Sequence, residues 1–194
     1  MQPLQHMNKS LIRKQENARR MALNEHQRAL LNQKLLERFT TLDFQQVHTL
    51  HIFLPIAEKN EPDTFMFIRW LQVNYPCIHL IVPKADFNTF IMTHHSYRGE
   101  EGLQKNLYQI PEPISDSEYT GTIDMVIVPL LAFDDRGYRV GYGKGFYDRF
   151  LGSHSAVKIG VSFFESIQTI TDVHADDIRL DYCITPEKVY HFKQ

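Results

Sequence analysis

From position 139 to 148 the chain reads Arg-Val-Gly-Tyr-Gly-Lys-Gly-Phe-Tyr-Asp. Gly141, Gly143 and Gly145 alternate with Tyr142 and Lys144, and a helical run over 146–151 follows directly. Glycines let successive backbone N–H groups converge on an anion without side-chain obstruction. The start of a helix just beyond adds unpaired donors and a favourable dipole. Arg139 and Lys144 add positive charge to the loop, so a polyphosphate is the ligand these parts suit best. Asp148 is the metal candidate, because magnesium prefers one or two carboxylates together with phosphate oxygens and water. Two simpler readings compete. The loop could be a glycine-rich hairpin with solvated charges, and Asp148 an acid favoured at a helix start by the dipole alone.

Other nucleotide signatures fit less well. The order Gly-x-Gly-x-Gly-Phe misplaces the third glycine of the dinucleotide fingerprint, and the loop begins about a dozen residues after its strand instead of at once. Glu165, about twenty residues beyond Gly145, is the one feature in favour of that fingerprint. The Walker pattern is absent. Elsewhere, Lys9 and Arg13 are four apart and share a helical face, which taken alone describes a solvated surface pair. Glu61 reads as a helix-start acid, and Asp177 sits in an acidic loop beside Asp176. His94 and His95 would point to opposite faces of a strand and cannot readily share one ion.

Taken together, Pro129, the triplet Ala132-Phe133-Asp134, Gly137, Arg139 and the run from Gly141 to Asp148 resemble the signature of the 5-formyltetrahydrofolate cyclo-ligase family. The resemblance covers nearly the whole chain. Lys9 and Arg13 match an opening Lys-x-x-x-Arg; Leu54 and Glu61-Pro62-Asp63-Thr64 match a strand end and a helix start. Residues 173–186, with Asp177, Leu180, Asp181 and Thr185, match the closing segment. The chain departs from the pattern at Val140 (usually leucine), Phe146 (commonly tyrosine), Leu130 (often glycine) and His174 (often proline). The 57–60 stretch is slightly long.

The resemblance implies an ATP- and magnesium-dependent enzyme that closes 5-formyltetrahydrofolate into 5,10-methenyltetrahydrofolate, releasing ADP and phosphate. It implies ATP contacts from Lys9, Arg13, Arg139, Gly141, Tyr142, Gly143, Lys144, Gly145, Phe146 and Tyr147. Folate contacts would come from Leu54, Glu61 and the run Tyr142 to Phe146, and the magnesium ligands would be Asp148 and Asp177. Arg139 and Lys144 would neutralise the transferring phosphoryl group. The formyl oxygen attacks the γ-phosphate, which asks for positioning and charge neutralisation without a protein nucleophile. Two other classes stay open: a different enzyme on a related α/β scaffold, such as a sugar-phosphate isomerase, and a non-catalytic nucleotide-binding module.

These residues need a scaffold, and the rest of the chain supplies its grammar. Two helices are expected over 8–22 and 24–39, the second opened by a capping box at Asn24 and Gln27 and buried through Leu30, Leu31, Leu35 and Leu36. Strands are expected over 48–54, 78–82 (stopped by Pro83), 89–93, 123–128 and 157–163, with 182–185 as an edge. A helix over 63–75 turns Phe67, Ile68 and Leu71 inward. The 97–121 stretch reads as a long mobile connection. Strands alternating with helices predict an α/β fold, with a mainly parallel central sheet flanked by helices and preceded by two N-terminal ones.

At 194 residues, 43% hydrophobic and 12% aromatic, the chain is expected to be a single domain over 1–194 with a sizeable core. A net charge of −2 gives no global footprint for nucleic acid or an anionic membrane. Cys77 and Cys183 are read as reduced thiols, since two distant cysteines make no disulfide framework. No signal peptide or membrane span is visible, so a soluble, cytoplasmic monomer is expected, acting on small molecules.

Overall fold

The computed structural model describes residues 6–115 and 117–193, His6 by its backbone alone. Strand β1 (His6–Met7) leads into α1 (Lys9–Met21), where the Asn8 side chain accepts from the Leu11 N–H at 2.9 Å. The expected capping box opens α2 (Glu25–Phe39): the Asn24 and Gln27 side chains each accept from the other's backbone N–H. After β2 (Thr49–Ile52) and a 3-10 turn at Ala57–Lys59, Asp63 caps α3 (Thr64–Asn74) through the Phe65 N–H at 3.1 Å. Each cap takes up an N–H that the first helical turn leaves unpaired.

Strands β3 (His79–Asp86) and β4 (Ile91–Ser96) form a hairpin, and β5 (Leu103–Lys105) and β6 (Pro111–Pro113) a smaller one. Then come β7 (Met125–Pro129), the short pair β8 (Ala132–Phe133) and β9 (Arg139–Val140), and α4 (Phe146–Gly152). The chain closes with β10 (Val157–Val161), β11 (Thr169–Ile170), β12 (Tyr182–Ile184) and β13 (Val189–His191).

Seven strands make the central sheet in the order β13-β12-β10-β7-β2-β3-β4. Every pairing from β12 to β3 is parallel, and only the outermost strands, β13 and β4, run antiparallel. This is the mainly parallel α/β sheet expected. Because side chains alternate along a strand, the register sorts them into two faces. Leu50, Leu80 and Met125 lie side by side on one, with Ile52, Ile127 and Ile159 a step along. Leu35 and Phe39 of α2 and Phe67, Ile68 and Leu71 of α3 cover that face. Val126 and Val128 face the other way and meet Phe150 and Leu151 of α4. Gly160 belongs to this second face, where a Cβ would stand 2.6 Å from the Leu130 side chain and 2.7 Å from that of Leu180.

Several expectations are corrected. Pro83 does not stop its strand: β3 continues to Asp86, because the bond from the Tyr97 N–H to the Leu80 carbonyl sets a phase that puts Pro83 and His94 in a non-hydrogen-bonded pair. The proline therefore removes no ladder bond. Leu30 is exposed, since it lies five residues and so about 140° around the helix from the buried Leu35. Residues 182–184 are not an edge; β13 pairs outside them. The strand expected over 48–54 is confined to Thr49–Ile52. The stretch expected to be an irregular connection over 97–121 holds the β5–β6 hairpin, which the strand patterns had not revealed in so short a form.

Candidate active site

Parallel strands β2 and β7 end at the same edge of the sheet, and Phe53, Leu54 and Pro129 lie just past or at those ends. Such carboxyl edges are where open α/β sheets bind ligands. A cavity of about 470 Å³ opens here, closed on its other sides by α1, the 56–61 loop, the β5–β6 hairpin and the glycine loop. Its lining includes every candidate residue: Lys9, Arg13, Leu54, Glu61, Arg139, the unbroken run from Gly141 to Asp148, and Asp177.

The glycine loop is held from both ends. Upstream, Asp134 is fully buried and accepts from the backbone N–H groups of Arg136 and Tyr138, both at 3.0 Å, and from the Arg136 guanidinium. The Gly137 N–H closes this turn on the Asp134 carbonyl at 2.9 Å with φ at +87°, and β9 then delivers Arg139 to the cavity. Downstream, Gly145 enters α4 at a φ of +71°. Gly143, at +86°, leaves only 3.1 Å between a notional Cβ and the Arg13 guanidinium, so a larger residue would be both strained and crowded there.

Arg13 donates through Nε to the Gly141 carbonyl at 2.9 Å, which fastens α1 to the loop. One turn earlier, Lys9 forms an ion pair with Asp177. Burial would raise the Asp177 carboxyl, but the Lys9 ammonium and the His174 N–H outweigh it and hold the group below its ordinary 3.8. Arg139 is buried and donates to the Ile178 carbonyl and to Asp148 Oδ1, the latter at 2.9 Å. Desolvation pulls Arg139 below its ordinary value, with Asp148 and Asp177 opposing. Asp148 Oδ1 also accepts from the Ile178 N–H at 3.3 Å. Asp148 is thus more than a dipole-favoured helix start: it locks the closing segment onto the loop. Lys144 is exposed at the cavity mouth and makes no ion pair among the described residues.

Two carboxylates in one cavity, each with one oxygen free of hydrogen bonds among the described residues, fit a magnesium ion that also takes phosphate oxygens. Both already face cations, so Lys9 and Arg139 would share them with a metal.

Glu61 is buried. Its Oε2 accepts from the Ile56 N–H at 2.7 Å and its Oε1 from the Tyr142 hydroxyl at 2.6 Å. Burial, and then the Glu61 charge, push the Tyr142 phenol above its ordinary 10.0, so it stays a neutral donor. The long 57–60 stretch forms the 3-10 turn, with Asn60 at a φ of +50° and its side-chain amide donating to the Arg20 and Leu23 carbonyls. Phe146, lacking the commoner tyrosine hydroxyl, packs edge-on against Phe87 at 5.3 Å. Sequence reading missed Phe87, Tyr108 and Glu112, which the two hairpins bring to the wall. It also missed Arg20, although that residue continues the spacing of Lys9, Arg13 and Glu16 along one face of α1.

With this geometry established, the comparisons with known proteins agree. The profile of the 5-formyltetrahydrofolate cyclo-ligase family matches residues 5–186. The 5-formyltetrahydrofolate cyclo-ligase of Escherichia coli K12 is 30% identical over 186 residues, covering 90% of this chain and 98% of its own. That of Mycoplasma pneumoniae is 30% identical over 188 residues, covering 93% and 100%. The NMR structure of Aquifex aeolicus 5,10-methenyltetrahydrofolate synthetase superposes with a TM-score of 0.80 at 28% identity, over 96% of this chain and 93% of that one. The Mycoplasma pneumoniae 5,10-methenyltetrahydrofolate synthetase gives 0.70 at 28%, over 92% and 98%. A family profile spanning almost all the described residues, and solved relatives that share the fold over nearly the whole chain, lead to one conclusion: the chain belongs to the 5-formyltetrahydrofolate cyclo-ligase family.

Proposed function

We propose that this protein converts 5-formyltetrahydrofolate to 5,10-methenyltetrahydrofolate, consuming one ATP and releasing ADP and phosphate. The observation that carries this reading is the convergence of Lys9, Arg13, Arg139, Asp148 and Asp177 with the glycine loop in one cavity, beside the buried Glu61 and the half-buried Tyr142 bonded to it. The cations and loop N–H groups suit a triphosphate. The carboxylate of Glu61, with a phenol donor beside it, suits the N–H edge of a pterin. Magnesium held at Asp148 and Asp177 would offset phosphate charge.

In the reaction the formyl oxygen attacks the γ-phosphorus of ATP and ADP leaves. The second folate nitrogen, N10, then attacks the activated formyl carbon, its proton is lost, and the phosphorylated oxygen departs as phosphate. Arg139 and Lys144 neutralise the charge on the transferring group, while the loop holds donor and acceptor in line. No side chain needs to act as a nucleophile. Protein given Mg-ATP and 5-formyltetrahydrofolate should generate the methenyl chromophore with one phosphate per product. Full turnover without nucleotide, or in excess chelator, overturns the reading and favours another chemistry on this scaffold.

A further inference from the structure

Arg20 is 4% exposed, does not line the cavity, and none of the family matches gives it a role. It nonetheless joins four segments. From α1, Nε donates to the Lys59 carbonyl at 2.9 Å and Nη1 to the Leu130 carbonyl at 3.4 Å, just beyond β7. Nη2 donates to the Tyr142 hydroxyl of the glycine loop and lies 3.9 Å from Glu61 Oε1. This is the one ion pair of Glu61 among the described residues.

The direction of these bonds matters. A guanidinium can only donate, so the Tyr142 oxygen accepts from Arg20, and its single proton goes to Glu61 Oε1. Glu61 Oε2 is meanwhile taken by the Ile56 N–H. Each carboxylate oxygen keeps a lone pair for a ligand N–H, and the phenol cannot rotate to compete for the ligand. Lys59, whose ammonium stands 4.1 Å from the Tyr142 ring centre, adds a second cation but no hydrogen bond to the hydroxyl.

We propose that Arg20 is a positioning residue for the folate side of the site, acting through Tyr142 on Glu61. It sets the proton direction of the relay and balances a carboxylate that would otherwise be buried without a countercharge. The inference rests on the proposed reaction and deepens it, since it states which buried group makes the folate pocket selective for an N–H edge.

The test is a double-mutant cycle on Arg20→Met and Tyr142→Phe, read as separate KM values for 5-formyltetrahydrofolate and ATP. Arg20→Met should raise the folate KM about tenfold or more, with the ATP KM within about twofold of wild type. Tyr142→Phe should raise the folate KM as well, and the double variant should be no worse than Arg20→Met alone. Arg20→Lys keeps the charge but cannot serve Lys59, Leu130 and Tyr142 together; it should give an intermediate folate KM, and it replaces Arg20→Met in the cycle if that variant does not fold. Folate effects that multiply in the double variant, equal rises in both KM values, or an unchanged folate KM each overturn the inference while leaving the proposed reaction standing. Failure of the wild-type protein to form methenyltetrahydrofolate overturns the reaction itself and this inference with it.

Discussion

On one face of the sheet Phe39 of α2, Phe67 and Leu71 of α3, and Phe44 just after α2, pack onto Leu50, Leu80 and Ile127, and the rings of Phe39 and Phe67 stack at 4.2 Å. On the other, α4 meets His51 and His94 as well as valines, and Phe150 lies between those two imidazoles and His154. Both ring nitrogens of His51, Nδ1 of His94 and the Tyr147 hydroxyl are buried there without a hydrogen-bond partner among the described residues. Burying polar atoms unpaired costs stability, which offsets part of what the apolar contacts of the second face contribute. The second carries α4, which the glycine loop enters at Gly145. The contrast teaches that the sheet is anchored on the side away from the chemistry, and substitutions on the two faces should fail in different ways.

The largest effect should come from the apolar face. Phe67→Ala removes a fully buried ring from the Phe39 stack and should cost about 3–5 kcal/mol in denaturant unfolding, with turnover per folded molecule unchanged. A comparable loss of turnover would break the division between the faces. Next come Lys9→Ala and Arg13→Ala on the cavity side. Each should raise the ATP KM roughly ten- to a hundredfold, equivalent to losing about 1.5–3 kcal/mol of charge-assisted contact, while the melting temperature hardly moves. Unchanged ATP affinity in both would return the pair to a structural role, Lys9 serving Asp177 and Arg13 the Gly141 carbonyl.

Asp148→Asn is a finer probe. The amide oxygen can still accept from Arg139 and Ile178, so stability should drop by only about 1 kcal/mol. The magnesium concentration for half-maximal rate should rise about tenfold or more if the carboxylate charge holds the ion. A magnesium titration superimposing on wild type would remove Asp148 from the metal site. The smallest effect concerns pH. Burial, then the nearby His154 and His95, lower His94 from its ordinary 6.5 to about 4. Burial likewise takes His51 well below 6.5, with His94 and His154 adding to it. As pH falls from 6.5 toward 4, the unfolded chain takes up protons that the folded one refuses, so stability present above 6.5 is lost through that window. Thermal melts of His94→Phe should lose several degrees less than wild type between those values. Parallel curves would mean that His94 is not the group that feels the pH.

The main helices and central strands, the capping box and the glycine-loop residues were legible in the sequence, because each depends on residues a few positions apart. Helical caps and glycine-rich turns are local physics, and the family signature is a local run. The candidate residues are separated by up to 168 positions, as Lys9 and Asp177 are; spacing nominated the glycine loop and Asp148, whereas Lys9, Arg13, Leu54, Glu61 and Asp177 were nominated by the resemblance to the family. The tertiary structure decided what each faces. Leu30 belongs to a leucine-rich helix, but the direction in which α2 meets the sheet leaves it outside. Pro83 continues a strand because β4 supplies a register in which its missing N–H goes unused. Arg20, four segments' shared partner, carries no signal beyond helical spacing, since its role depends on where Lys59, Leu130 and Tyr142 come together. The countercharge of a buried carboxylate is a property of three-dimensional proximity, which a one-dimensional pattern does not encode.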